Sequence, residues 1–224
     1  MNGSVVGHLI LKDWRLHRLH ISLAVTVGAI SLIIFEHGGE LPVVLGSVWF
    51  FIALIVLGSM LPVSSIVNER KKQTLAFVMS LPVSSIQYTA AKMISTFAMF
   101  LVPWLALLIS ALIVIETRDI LPHGTIPAIL ILALLPLVGF CVITGVAMVG
   151  ESEGWGIAAT VVCNSSYGIS WYLLARMPSV HSNWTSRAPV WNSTVLDLLF
   201  SEVGLIVLSI ALTLWLQSRK RGFI

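Results

Sequence analysis

Few side chains in this sequence are of a kind and spacing to make or break bonds. Its six histidines fall in the flanks and loops, and His37, His123 and His181 stand on three separate loops with no ligand spacing between them. No metal site is expected from such a set. Cys141 and Cys163 each lie in an apolar run without a CxxC pattern or a nearby histidine, so they read as small packing residues. No GxxxxGK[ST] occurs, which leaves the chain without the backbone cradle and lysine that bind nucleotide phosphates. The polar cluster inside an apolar stretch is Asn164, Ser165, Ser166, Tyr167, Ser170 and Tyr172. A hydrolase buried in a membrane needs a nucleophile and a base at one depth, and no His or Lys in an apolar segment is expected at this level. The chain is therefore read as binding no cofactor and as no enzyme. What remains are two short charged stretches, Lys12 to Arg15 and Glu69 to Lys72, suited to docking and positioning.

The elements that hold these residues belong to an unusual solvent. The chain has 224 residues, of which 57% are hydrophobic and 10% charged, against about 25% charged in a soluble domain. So few charges cannot cover so much apolar surface in water, and a mean hydropathy of +0.96 agrees. A soluble enzyme, a disordered chain and a secreted disulfide scaffold are excluded. The net charge of +3 sits in short clusters beside apolar runs, not in a long stripe, so nucleic acid is not an expected partner and membrane lipid is.

A crossing helix takes about 20 mostly apolar residues at about 1.5 Å each. Six segments qualify: 19–35, 42–67, 93–115, 126–149, 154–175 and 198–217. The expected fold is thus an all-α membrane protein, a single transmembrane domain over 1–224 with six transmembrane helices. The second, third and fourth segments carry no charge, the fifth is interrupted by Asn164 to Ser166, and the sixth has Glu202 near its start. Of thirteen Lys and Arg, all but Arg118, Arg176 and Arg187 fall on the side of the two termini. That bias puts both termini in the cytoplasm. Glu36 to Glu40 lacks a small-x-small cleavage site, so the first segment is kept as a mature span.

Ahead of that span, over 1–18, Val6, Leu9, Ile10 and Leu16 share one side of a helix while His8, Lys12 and Arg15 share another. The pattern fits an amphipathic interfacial helix lying flat at the headgroups, or a basic flank that orients the first span. Residues 68–85 are more telling. Leu75, Val78 and Met79 recur at helical spacing, Pro82 ends the helix, and Ser84 with Gln87 forms a capping box for the next one. Such a short cytoplasmic helix docks on a partner or rests on the headgroups.

The Leu9 to Trp14 opening, the helix from Glu69-Arg70 to Thr74-Leu75, the Ser80-Leu81-Pro82-Val83-Ser84 corner and Lys92 after it together resemble the permease subunits of ABC-2 type exporters. Among these the chain looks most like short bacterial permeases that export bacteriocins or phenol-soluble modulins with a separately encoded ATPase. The resemblance implies a type V exporter-like fold in the bacterial plasma membrane, working as a homodimer or with a second permease. It implies a partner ABC ATPase that holds the ATP and Mg, gripping a coupling helix that carries Glu69, Arg70, Lys71, Thr74, Leu75, Val78 and Met79. It also implies an interfacial helix with Lys12, Trp14 and Arg15, one of whose cations would face Glu69.

The fifth span is the most polar, and Asn164, Ser165, Ser166, Tyr167, Ser170 and Tyr172 form the candidate translocation wall, or else bond neighbouring helices. Residues 176–197 form an outer loop whose Trp184 and Trp191 suit the interface, with Thr194 and Asp197 as a capping box. Glu202 is expected at the membrane boundary or lining the exit. An amphipathic peptide or a lipid-like molecule is the expected substrate. Two other readings remain: a structural or sensory subunit that recruits an ATPase without transport, and an intramembrane hydrolase.

Overall fold

The computed structural model describes residues 3–67, 85–150 and 153–219, and among them all regular structure is helical. The helices are α1 (Gly3–Glu36), α2 (Glu40–Pro62), α3 (Ser85–Arg118), α4 (Ile126–Val149), α5 (Glu153–Arg176), the single turn α6 (Pro178–His181) and α7 (Ser193–Arg219). A π turn, Val63–Val67, continues α2, and a 3-10 turn, His123–Thr125, leads into α4. Five helices are long and apolar enough to cross a membrane: those over Leu11–Glu36, Glu40–Ile66, Lys92–Arg118, His123–Val149 and Ser193–Arg219. The chain is thus a multi-pass membrane protein built of helices, in which each element satisfies its own backbone.

The flat interfacial helix over 1–18 is not a separate element. The chain between Asp13 and Ala24 contains neither Gly nor Pro, and α1 runs unbroken from Gly3 to Glu36. Its buried side is one seam, Asp13, His17, Ile21, Ala24, Gly28, Ser31 and Phe35, repeating every three or four residues from the first charged stretch to the far end. Leu16, expected on the embedded stripe, is exposed, and polar Asp13 and His17 take the inner position instead.

Gly38 and Gly39, at φ +68° and +82°, make the tight reversal into α2, a conformation that costs glycine little. The two helices then meet closely at Gly46, where a Cβ would lie 2.7 Å from both the Ser31 carbonyl and Phe35 Cβ. Pro62 lacks the N–H that Gly58 would otherwise bond, and α2 loosens into the π turn directly after it.

Helix α4 spans 126–149, as expected, and is the axis of the bundle, with Ala133, Phe140, Ile143 and Thr144 fully enclosed. Phe100 of α3 stacks on Phe140 at 4.4 Å, and the Trp104 indole donates to the Ala133 carbonyl at 2.8 Å. Helix α5 lies antiparallel along α4, with Trp155 beside Gly150 and the Tyr167 hydroxyl on Gly139. Helix α7 runs parallel to α4, since Thr213 packs on Gly145 and Gln217 donates to the Met148 carbonyl at 2.6 Å. Its N-cap is Asn192, whose Oδ1 accepts from the Val195 N–H at 2.9 Å. The helix therefore begins two residues before the expected Thr194–Asp197 capping box.

These contacts sort the helix ends. Asp13, Ser64, Lys92, Met148 and Gln217 share one end, called the base here, so the two described termini lie together. Glu36, paired with Arg118, and the 3-10 turn, whose Gly124 N–H donates to Ser186, mark the other.

Replacing Gly46 with Val is expected to force α1 and α2 apart and cost about 1–3 kcal/mol. The measurement is thermal unfolding in detergent, with Gly204→Val on α7 as the control, since a Cβ at Gly204 meets nothing within 4 Å.

Candidate functional site

The base of the bundle holds a buried polar cluster contributed by three elements. Asp13 and His17, one turn apart on α1, are each 3% exposed. Lys92, Ser95 and Thr96 present a matching face from α3, also buried. Ser64 and Ser65 complete the cluster from the π turn. Lys92 Nζ lies 2.9 Å from Asp13 Oδ2, and the Ser95 hydroxyl donates to the same oxygen at 3.1 Å. The Thr96 hydroxyl donates to the Lys92 carbonyl at 2.8 Å and sits 3.4 Å from Ser65 Oγ. Ser64 Oγ approaches His17 Nδ1 at 3.4 Å while also lying 3.3 Å from the Leu61 carbonyl it donates to.

The position of this cluster matters more than its polarity. It joins the π turn and the first turns of α3, the two elements that flank residues 68–84, and fastens both to α1. Lys92 was expected at the point where the chain re-enters the membrane. Helix α3 starts at Ser85, so Lys92 lies two turns inside it and faces inward. A charge in that place is tolerable only with a countercharge and further hydrogen bonds, which Asp13 and its neighbours supply. Sequence reasoning passed over Asp13, His17, Ser95 and Thr96. A signal was present on α3, where Lys92 has hydroxyls three and four residues on, at Ser95 and Thr96.

Of the expected coupling residues, Glu69, Arg70, Lys71, Thr74, Leu75, Val78 and Met79 lie outside the described residues. Lys12 and Arg15 lie on the exposed side of α1, and Trp14 is 37% exposed. The expected translocation wall divides between two faces of α5. Tyr167 packs on Gly139 of α4 and is half-buried, as is Ser170, while Asn164, Ser165, Ser166 and Tyr172 are exposed. Ser166 bonds back to the Cys163 carbonyl at 2.6 Å, and Tyr172 carries the Arg176 guanidinium over its ring at 4.4 Å. Six polar side chains on consecutive turns of a helix cannot share one wall, because the helix turns about 100° per residue.

Glu202 also departs from expectation. It stands nine residues into α7 and is 6% exposed, so it does not reach the boundary. The register that puts Thr213 on Gly145 sets it level with Leu134 of α4. Its Oε2 has no hydrogen-bond partner among the described residues. No cluster of three His, Cys, Asp or Glu able to hold a metal occurs among the described residues.

Removing one member of the Asp13–Lys92 pair is expected to be far worse than removing both. Asp13→Ala strands a buried ammonium and should cost about 3–5 kcal/mol, whereas Asp13→Leu with Lys92→Met should recover most of that. Chemical unfolding of the two variants in one detergent compares them directly. No protein-family model matches the chain, and no curated protein or solved structure does either.

Proposed function

We propose that the chain is the membrane-spanning permease subunit of an ATP-driven ABC exporter, moving an amphipathic peptide or lipid-like substrate out of a bacterial cell. Six crossings with both termini in the cytoplasm suit this reading. Helix α5 is the sixth: it is as long as α4 and lies flush along it, although its polar residues lower its hydropathy. The basic residues gathered at the base then face the cytoplasm.

The observation that carries the proposal is the buried Asp13–Lys92 pair at 2.9 Å. It ties α1 to α3 beside the ends of 68–84, where the sequence resembles a coupling helix. A separate ATPase gripping Leu75, Val78 and Met79 would pull on α2 and α3 together, and through Asp13 on α1 as well. The nucleotide and its Mg belong to that partner. This chain's residues supply the grip and the linkage, and the exposed Asn164 and Ser165 of α5 suit contact with a second permease or with the substrate.

Leu75→Asp or Met79→Asp is expected to abolish co-elution with the ATPase, at least tenfold, while membrane insertion stays intact. Unchanged association and unchanged transport would overturn the proposal, as would transport by the isolated chain in vesicles. A second reading rests on the approach of Ser64 Oγ to His17 Nδ1 at 3.4 Å: an intramembrane hydrolase would need the Ser64 hydroxyl to turn from the Leu61 carbonyl to this base. Ser64→Ala separates the two: transport should survive it, whereas hydrolysis would not.

A further inference from the structure

Helix α7 meets the rest of the bundle along one seam, and an acid sits in it. Its buried residues are Val195, Glu202 and Thr213, and Leu199 and Ile206 between them pack on the apolar clusters of the bundle. Glu202 lies about 13 Å along the axis from Ser193 and about 22 Å from Gln217, well inside the span. We propose that Glu202 is a proton-binding site within the membrane, its carboxyl held as a neutral acid on which the seating of α7 against α4 depends.

What surrounds the carboxyl decides its ligand. Helix α7 packs on α4 and, less extensively, on α3 and α6. From Ile126 to Ile143, α4 carries no hydroxyl, amide or charge, and its one titratable group, Cys141, lies seven residues beyond Leu134, with which Glu202 is level. On α3 the same depth is marked by Trp104, which bonds the Ala133 carbonyl, and the nearest titratable residues of that helix, Lys92 and Glu116, are each twelve positions away. His181 of α6 and the exposed Asp197 of α7 stand at the far end, and Arg219 lies at the base over the Trp215 ring. Among the described residues, then, no cation faces Glu202. A carboxylate in this place has neither water nor a countercharge. A divalent ion asks for about six oxygens or more, and no cluster of acids and histidines able to hold one occurs among the described residues. Lower on the seam, polar side chains find backbone partners: the Thr213 hydroxyl donates to the Ser209 carbonyl at 2.7 Å and Gln217 to the Met148 carbonyl at 2.6 Å. Glu202 Oε2 is buried with no such partner among the described residues. A proton needs no cage of ligands, and the neutral carboxyl it makes lets two apolar helix faces close over it.

The site needs neither an ATPase nor an exported substrate, so it stands apart from the exporter reading. The full chain in phosphatidylcholine vesicles is treated with dicyclohexylcarbodiimide, which partitions into hydrocarbon, and in parallel with a water-soluble carbodiimide plus glycine methyl ester, and both samples are mapped by mass spectrometry. A neutral acid passes its proton to one carbodiimide nitrogen while its oxygen adds to the central carbon. The O-acylisourea so formed rearranges to a stable N-acylurea, so the whole reagent is added and nothing leaves. The hydrophobic reagent is expected to modify Glu202 at least tenfold more than Asp197, whereas the water-soluble pair modifies Asp197 and spares Glu202. The infrared difference between wild type and Glu202→Gln should carry the carbonyl band of a protonated carboxyl. Because Gln is neutral and of similar size, Glu202→Gln should leave thermal unfolding in detergent unchanged, where the loss of an ion pair would lower it. Carboxylate bands in the difference spectrum, or modification of Glu202 by the water-soluble pair, would overturn the proposal. Should Glu202→Gln fail to insert, the wild-type map decides the matter, and the absence of an adduct at Glu202 from the hydrophobic reagent overturns the site.

Discussion

Hydrocarbon offers no partner to a polar group, and this constraint organises the molecule from backbone to ion pair. Each long helix closes its own hydrogen bonds, and most of its serines and threonines return theirs to a carbonyl three or four residues back, as Ser31, Ser47, Ser110 and Thr117 do. The prolines inside α2, α3 and α4 break this self-sufficiency at Pro62, Pro103 and Pro136. Around them the other features collect: the π turn follows Pro62, Gly58 lies against the Pro136 carbonyl, and Trp104, next to Pro103, bonds the Ala133 carbonyl. Polar satisfaction and bendability thus fall at the same depths of the bundle.

The same constraint explains why charge is gathered at the helix ends. Asp13 and Lys92 can be enclosed because each answers the other and hydroxyls from α3 complete the set. Glu36 and Arg118 pair at the opposite end, where both are partly wet, and contribute little to stability. The enclosed pair constrains geometry more than it adds energy, since a well-packed apolar substitute would hold the helices as firmly.

Much of the architecture was legible in the sequence. Uninterrupted apolar runs marked α2, α3 and α4, and for α4 the limits 126–149 coincide because Gly124 and Pro127 bound it at one end and Gly150 at the other. Legibility stopped where partners lie far apart along the chain. Asp13 and Lys92 are separated by 79 positions, and no local periodicity relates them. The continuity of α1 was missed because a cationic segment before an apolar run also has the composition of a helix lying in the interface. Glu202 was misplaced because α7 starts at Ser193, behind Asn192, two residues ahead of the expected cap. The polar residues of α5 are close in sequence, but the helical turn spreads them between a half-buried and an exposed side.

The unbroken α1 is also a mechanical element. Between Asp13 and Phe35 it contains no proline, no loosened turn and no hydroxyl pulling it off axis except Ser22 and Ser31, so over about 33 Å it acts as a stiff strut. Its neighbours α2 and α3 each lose a backbone hydrogen bond at a proline, whereas α1 keeps its ladder whole. Any displacement imposed on Asp13 must then reappear at Glu36 undiminished, which makes the opposite rim of the protein answerable to its floor through a rod instead of a joint.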